Sequence, residues 1–264
     1  MRHPPVTAAY GPGAPPLVAV AHGSRDPRAA RVVTELLERV RERRPGMAVH
    51  AAFLDHMAPS PARVMERLAA EGTQAAVVLP LLLTAAYHSR IDLPGVLNRV
   101  RADHPGLDVR YGDTLGPDPA LRTVLRRRLA EAGAPDPDPE TAVVLTSAGS
   151  SDPRANGAVA GMADRMAADA RAAGPGWHSV VPAYASAAAP GPAEAVAERR
   201  AAGARRVVVA SYFLAPGFFA DRVATAAYGE GAYAVSPVLG PADELAGLLL
   251  ARYDAVGAGL RAAA

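Results

Sequence analysis

The stretch Leu17-Val18-Ala19-Val20-Ala21-His22-Gly23-Ser24-Arg25-Asp26-Pro27-Arg28-Ala29 decides the fold. A short apolar run ends abruptly at a histidine, a glycine and a serine, and a helical pattern follows. Asp26 is a plausible N-cap with Pro27 at the first helical position. The pattern returns 126 positions later as Val143-Val144-Leu145-Thr146-Ser147-Ala148-Gly149-Ser150-Ser151-Asp152-Pro153-Arg154-Ala155, with Ala148 where the histidine stood. A copy that keeps the frame and drops the imidazole assigns the frame to folding and His22 to chemistry.

Two further anchors carry the repeat outward. Phe53-Leu54-Asp55-His56-Met57-Ala58-Pro59-Ser60-Pro61-Ala62 aligns with Tyr184-Ala185-Ser186-Ala187-Ala188-Ala189-Pro190-Gly191-Pro192-Ala193, and the segment from Val77 to His88 aligns with that from Val207 to Phe219. Asp55 and His88 keep the spacing of Ser186 and Phe219, which identifies an internal duplication. The halves differ most at polar positions, where His22, Asp55 and His88 face Ala148, Ser186 and Phe219.

Around these anchors, strands at 17–21, 47–54, 75–83 and 107–111 alternate with helices at 27–44, 60–71, 89–102 and 118–132. The second half repeats the order, with strands at 142–146, 179–184, 206–214 and 232–236 and helices at 154–172, 192–202, 219–228 and 241–256. Near-continuous apolar strands read as buried on both faces, the mark of a parallel sheet between helices. The fold class is therefore α/β, with two tandem, similar, doubly wound parallel-sheet domains. Residues 1–15, rich in proline and glycine, are expected to be a disordered tail, and 16–133 a first domain. The Pro-Asp run makes 134–140 a linker, leaving 141–264 as the second domain.

Composition narrows the chemistry. The chain has 264 residues, half of them apolar and a fifth charged, and 28 basic against 26 acidic residues leave a net charge of +2. Arginine dominates the basic residues without a basic-aromatic stripe, which argues against nucleic-acid binding. There is no cysteine, so disulfides, thiolate metal sites and cysteine nucleophiles are excluded. Apolar runs fall short of the ~20 residues of a membrane span, and no secretory signal pattern opens the chain, so a cytoplasmic protein is expected.

In open parallel sheets, ligands bind beyond the carboxyl ends of the strands. His22, Asp55 and His88 all fall at or just after such ends. Two imidazoles and a carboxylate can hold a divalent metal, and imidazole can equally accept protons near neutral pH. His56 follows Asp55 on a turn and is expected to point elsewhere, as a surface residue. Ser24, Arg25, Arg28 and Arg90 lie near the same rim. His-Gly-Ser is neither a P-loop nor a nucleophile elbow, because the Gly-x-Ser-x-Gly frame is missing.

His-Gly-Ser-Arg-Asp-Pro at 22–27, Phe-Leu-Asp at 53–55 and Leu-Leu-Leu-Thr-Ala-Ala-Tyr-His-Ser-Arg-Ile-Asp-Leu-Pro at 81–94 together resemble the sirohydrochlorin chelatase family. That resemblance implies a class II, chelatase-like fold in its long two-domain form, with the active site in one half. It implies insertion of Co²⁺ or Fe²⁺ into sirohydrochlorin, in cobalamin or siroheme biosynthesis. The metal is then a substrate, and no permanently bound cofactor is expected. His22 and His88 match the family's two metal-binding histidines, and Asp55 stands where glutamate is more usual. Ala-Ala-Tyr precedes His88 where glycines are common. The second half, stripped of matching polar groups, becomes scaffold and pocket wall. Ser24, Arg25 and Arg90 are the candidates for contact with a polycarboxylate tetrapyrrole. The chain is expected to act as a monomer or homodimer, without nucleic acid or membrane. The alternatives are a non-catalytic metal or tetrapyrrole carrier on the same fold, and a hydrolase using Ser24 and His22.

Overall fold

The computed structural model describes residues 14–85, 91–134 and 136–258. In the first half, β1 (Leu17–Ala21), α1 (Pro27–Arg43), β2 (Val49–Phe53), α2 (Pro61–Ala70), β3 (Ala75–Pro80), α3 (Leu93–Asp103), β4 (Asp108–Tyr111) and α4 (Pro119–Glu131) alternate. The second half repeats them as β5 (Thr141–Ser147), α5 (Pro153–Ala173), β6 (Ser179–Tyr184), α6 (Pro192–Ala201), β7 (Arg206–Ser211), α7 (Phe218–Gly229), β8 (Ala234–Val235) and α8 (Asp243–Ala258). The sheets are parallel, in the orders β2-β1-β3-β4 and β6-β5-β7-β8. Each therefore reverses its winding beside its first strand, and a ligand crevice opens at such a switch point.

The duplication holds bond by bond. Leu54 N–H donates to Ala21 O at 3.0 Å, as Ala185 N–H does to Ser147 O at 2.9 Å. Leu81 N–H donates to Val20 O and Tyr212 N–H to Thr146 O, at 2.7 and 2.8 Å. The α1 cap is also duplicated: Asp26 accepts from the Arg28 N–H and Asp152 from the Arg154 N–H. Satisfying an otherwise orphaned helix donor explains why both halves retain this aspartate.

The last helices are exchanged between the halves. α8 packs on α1 and β3 of the first half, while α4 packs on β7 and α8 of the second. One apolar cluster consequently runs through both halves, from Leu17, Leu36 and Leu121 to Leu145, Leu249 and Tyr253. Two separate clusters fill the outer faces, around Val18, Val64 and Leu97 in one half and Val144, Val196 and Val223 in the other. Polar ties reinforce the exchange. The Arg44 guanidinium donates to both Asp254 oxygens, at 2.6 and 2.8 Å, and the Tyr253 hydroxyl donates to Pro15 O at 2.6 Å.

Some element ends differ from the sequence expectation. The strands expected at 75–83 and 206–214 stop at Pro80 and Ser211. Beyond those points the Leu82 and Leu214 carbonyls accept from Leu115 and Gly240, so the chain leaves the sheet. The apolar run 81–83 instead serves the contact between halves, where Leu83 O accepts the Tyr212 hydroxyl at 2.9 Å. The third helix, expected from 89, is described from Leu93. The strand expected at 232–236 is confined to Ala234–Val235. No helix among the described residues is long and apolar enough to cross a membrane.

Candidate active site

His22 follows β1 directly and Asp55 follows β2 closely, because the two strands pair in parallel from Leu17↔Val49 to Ala21↔Phe53. The ladder continues one step past the strands, with Asp55 N–H donating to His22 O at 2.8 Å. The fold thus brings the backbones of these two residues together at one rim. His88 and Arg90 lie outside the described residues.

Glycine at 23 is required by this junction. Its φ is +95°, and a Cβ there would stand 1.8 Å from Asp55 O. Gly149 repeats the arrangement with φ +82° and Ser186 O at 1.9 Å. The ring of His22 turns toward its own loop, with Nδ1 3.2 Å from Gly23 O. A carbonyl only accepts, so Nδ1 donates in this contact.

Ser24 Oγ accepts from Asp26 N–H at 3.0 Å, which fixes the turn into α1, and Arg25 beside it is exposed. Arg28 is a strap rather than a substrate arginine. It binds the Asp26 carboxylate, holding it below the usual carboxylate range, and reaches across to Asp221 of α7 at 2.6 Å. Close by, a Cβ on Gly217 would stand 3.5 Å from Ser24 Oγ. The loop after β7 thus closes against the loop after β1, and the rim of the second half meets that of the first.

At the positions of His22 and Asp55 the second half carries no imidazole or carboxylate. Ala148 replaces His22, and Ser186 turns inward to donate from Oγ to Ala148 O at 2.8 Å. α7 opens on Phe218 and Phe219, 71% and 37% exposed, with ring centroids 5.5 Å apart and edge to face. The sequence reading gave these rings no role.

His56 is at the surface, as the sequence reading expects, but its ring does not point away from Asp55. Its backbone is left-handed, φ 61°, which swings the ring back instead of away. Its N–H donates to Asp55 Oδ1 at 2.7 Å, and its Nε2 lies 3.4 Å from Asp55 Oδ2. Ala187 holds the same conformation in the copy, φ 59°. The turn is therefore common to both halves and the imidazole belongs to one. No sequence pattern marks a non-glycine residue for positive φ, although the aligned Ala187 hinted that residue 56 need not be histidine for folding.

Among the described residues, no cluster of three or more histidine and acidic side chains is assembled for a metal. Of the candidate residues, His22, Ser24, Arg25 and Asp55 lie among the described residues, with His56 paired to Asp55.

Comparisons with known proteins agree with this architecture. The chain is 31% identical over 140 residues to a sirohydrochlorin cobaltochelatase of Priestia megaterium, covering 52% of this chain and 45% of that one. It is 29% identical over 147 residues to a sirohydrochlorin ferrochelatase of Bacillus subtilis, covering 56% of each. The matched stretch thus spans about half the length of these curated relatives. Among solved structures, SirB from Bacillus subtilis with Fe3+ superposes with a TM-score of 0.80 at 24% identity, over 93% of this chain and 96% of that one. The CbiX family pattern matches twice, over residues 16–132 and 142–256, once for each half of the duplication, and the chain therefore belongs to the CbiX family.

Proposed function

We propose that this protein inserts a divalent metal, Co²⁺ or Fe²⁺, into sirohydrochlorin. One observation carries the reading. His22 and Asp55 are locked together by the 2.8 Å bond at the carboxyl ends of β1 and β2, in a frame whose copy has the same geometry but Ala148 and Ser186 in their place. The names of the cobaltochelatase and ferrochelatase relatives support the same substrate.

Insertion replaces two pyrrole N–H protons with one M²⁺ and releases two protons. A useful site must hold the cation loosely enough to surrender it to the ring nitrogens, and must accept those protons. Imidazole meets both needs. His22 is proposed to hold the metal through its imidazole, with His88 as its partner. The Asp55 carboxylate offsets part of the cation's charge. The metal is a substrate, and no permanently held cofactor enters the scheme. The second half acts as the wall of the cleft, where Phe218 and Phe219 offer exposed apolar surface to the face of a flat ring. Arg25 and Arg90 are proposed to meet the ring's carboxylates.

The test is the absorbance change of sirohydrochlorin mixed anaerobically with Co²⁺ or Fe²⁺ and the purified protein. Turnover above the spontaneous rate is expected. Stoichiometric binding without turnover would identify a carrier instead. Ester hydrolysis that survives metal removal would favour Ser24 as a nucleophile.

A further inference from the structure

α7 enters the rim without the device that fixes α1 and α5. Those helices are capped by the side chains of Asp26 and Asp152. α7 begins behind Gly217, which has no side chain to cap it and holds φ 155°, ψ −175°, a conformation open to glycine alone. Asp221 lies three residues beyond Phe218, so the two side chains share a helix face. That face is turned toward the first half, because the Asp221 carboxylate accepts from Arg28 at 2.6 Å, 193 residues away in the chain. The main chain meets the same loop, since a Cβ on Gly217 would stand 3.5 Å from Ser24 Oγ.

Arg28 is itself held in place. Its Nε donates to the two oxygens of Asp26 at 3.1 and 2.9 Å. An exposed ion pair ordinarily gains little, because both long side chains must be ordered to make it. Here the guanidinium is already fixed on one carboxylate and loses little freedom in taking a second. The copy lacks the arrangement. Arg154 makes the same cap contact, with Asp152 at 3.3 and 3.4 Å, and no other ion pair among the described residues. In the alignment of the halves, Asp221 corresponds to Arg90, so that position supplies no carboxylate to Arg154. The strap is one-sided, as His22 and the two phenylalanines are.

We infer that Arg28 and Asp221 are positioning residues: their ion pair clamps the first turn of α7 against the loop after β1, and so holds the exposed Phe218 and Phe219 rings at the rim to receive the face of a flat macrocycle. In this scheme neither residue touches the ligand, and both act through the rings. Two aromatic side chains on an uncapped helix start make a defined wall only if that start is fixed, and the clamp fixes it from the half that carries His22. The inference deepens the proposed function and rests on it for the identity of the ligand, though not for the clamp itself.

The test compares Arg28→Gln with Arg154→Gln, which loses the same cap contact in the copy but no strap. In the full-length protein without ligand, amide hydrogen exchange over α7 should quicken in Arg28→Gln and keep the parent rate in Arg154→Gln. In turnover assays, Arg28→Gln and Asp221→Asn should each raise KM for sirohydrochlorin by about fivefold, with kcat within about twofold. The double variant should be no worse than either, because both substitutions break one pair. In a Phe218→Ala, Phe219→Ala background, Arg28→Gln should leave KM where that background puts it, which a direct contact between Arg28 and the substrate would not. Unchanged exchange in α7 would overturn the inference. So would a KM that stays at the parent value, a rise shared by Arg154→Gln, or a rise that persists without the two rings. Faster exchange in a protein whose parent does not metallate sirohydrochlorin would instead overturn the proposed function and leave the clamp standing.

Discussion

The carbonyl oxygen of Asp55 occupies the space of the side chain that Gly23 lacks: a Cβ there would lie 1.8 Å away, well inside contact distance. This close approach lets the Asp55 N–H reach His22 O, so the glycine sets the distance between the two site residues. Gly23→Ala must both relax a φ of +95° and push Asp55 aside. It should cost about 2–4 kcal/mol of stability and lower metal insertion well beyond the fraction unfolded. Gly149→Ala, facing Ser186 O at 1.9 Å, should cost similar stability and leave turnover of the folded fraction nearly unchanged. Denaturation midpoints and insertion rates for the two variants provide the comparison. Equal activity losses would show that the strand-end geometry of the first half is not special to the chemistry.

The asymmetry of the halves should appear directly in kinetics. His22→Ala and His88→Ala should each lower insertion by at least about 100-fold, the scale of losing a positioned acid–base group. Asp55→Ala should cost less, because it offsets charge rather than receiving protons. Ser186→Ala should leave turnover within a few-fold. Phe219→Ala should raise KM for the tetrapyrrole while kcat stays within a few-fold, the signature of lost uniform binding. A sensitive second half with dispensable histidines would move the active site to the other domain.

How much of this was legible follows from what each signal encodes. The β1 and β5 frames could be read because Asp26-Pro27 and Asp152-Pro153 announce helix starts, and because the apolar runs before them are buried throughout. The meeting of His22 and Asp55 could be read because parallel strands align their carboxyl ends. The pairing of His56 with Asp55 could not, since neighbouring side chains normally diverge and a positive φ reverses the rule. The helix exchange was equally hidden: an amphipathic pattern shows that α8 buries a face, not whose sheet it covers. Leu81–Leu83 looked like strand because apolarity alone cannot separate a strand from a segment buried between halves.

Electrostatic steering is open to a simple check. A polycarboxylate substrate meeting Arg25 and Arg90 at the rim should associate more weakly as salt screens the charges. Arg25→Gln and Arg90→Gln should each raise KM for sirohydrochlorin at low ionic strength and flatten its salt dependence. If KM in both variants follows salt as it does in the parent, the arginines do not steer the substrate.

His50 gives the fold an acid sensitivity away from the site. Burial and the neighbouring Arg67 and Arg41 hold its imidazole below the usual value of 6.5. Arg67 can only donate, so its contact with His50 Nδ1 at 3.0 Å requires the unprotonated nitrogen. The unfolded chain therefore binds this proton more readily than the folded one. Stability should be fully present above about pH 6.5 and should decline as pH falls from there toward the folded value. His50→Asn should flatten that part of the melting-temperature profile between neutral and mildly acidic buffer. An unchanged slope would assign the acid sensitivity to other groups.

The exchanged helices should make the two halves unfold as one. Tyr253 of α8 is 1% exposed within the apolar cluster shared by both halves, and its hydroxyl reaches Pro15 at the start of the first. Removing its ring from that cluster should cost about 3–5 kcal/mol, whereas Tyr253→Phe gives up one hydrogen bond, about 1 kcal/mol. The sequence's single tryptophan, Trp177, is buried where the second half meets this shared cluster, so its fluorescence reports the core from that side. Far-UV circular dichroism reports both halves. In urea the two signals should share one midpoint in the parent and move together in Tyr253→Ala, because neither sheet keeps its cover once α8 and α4 separate. Distinct midpoints, with the tryptophan transition displaced from the dichroism, would show that each half holds its core without the other's helix.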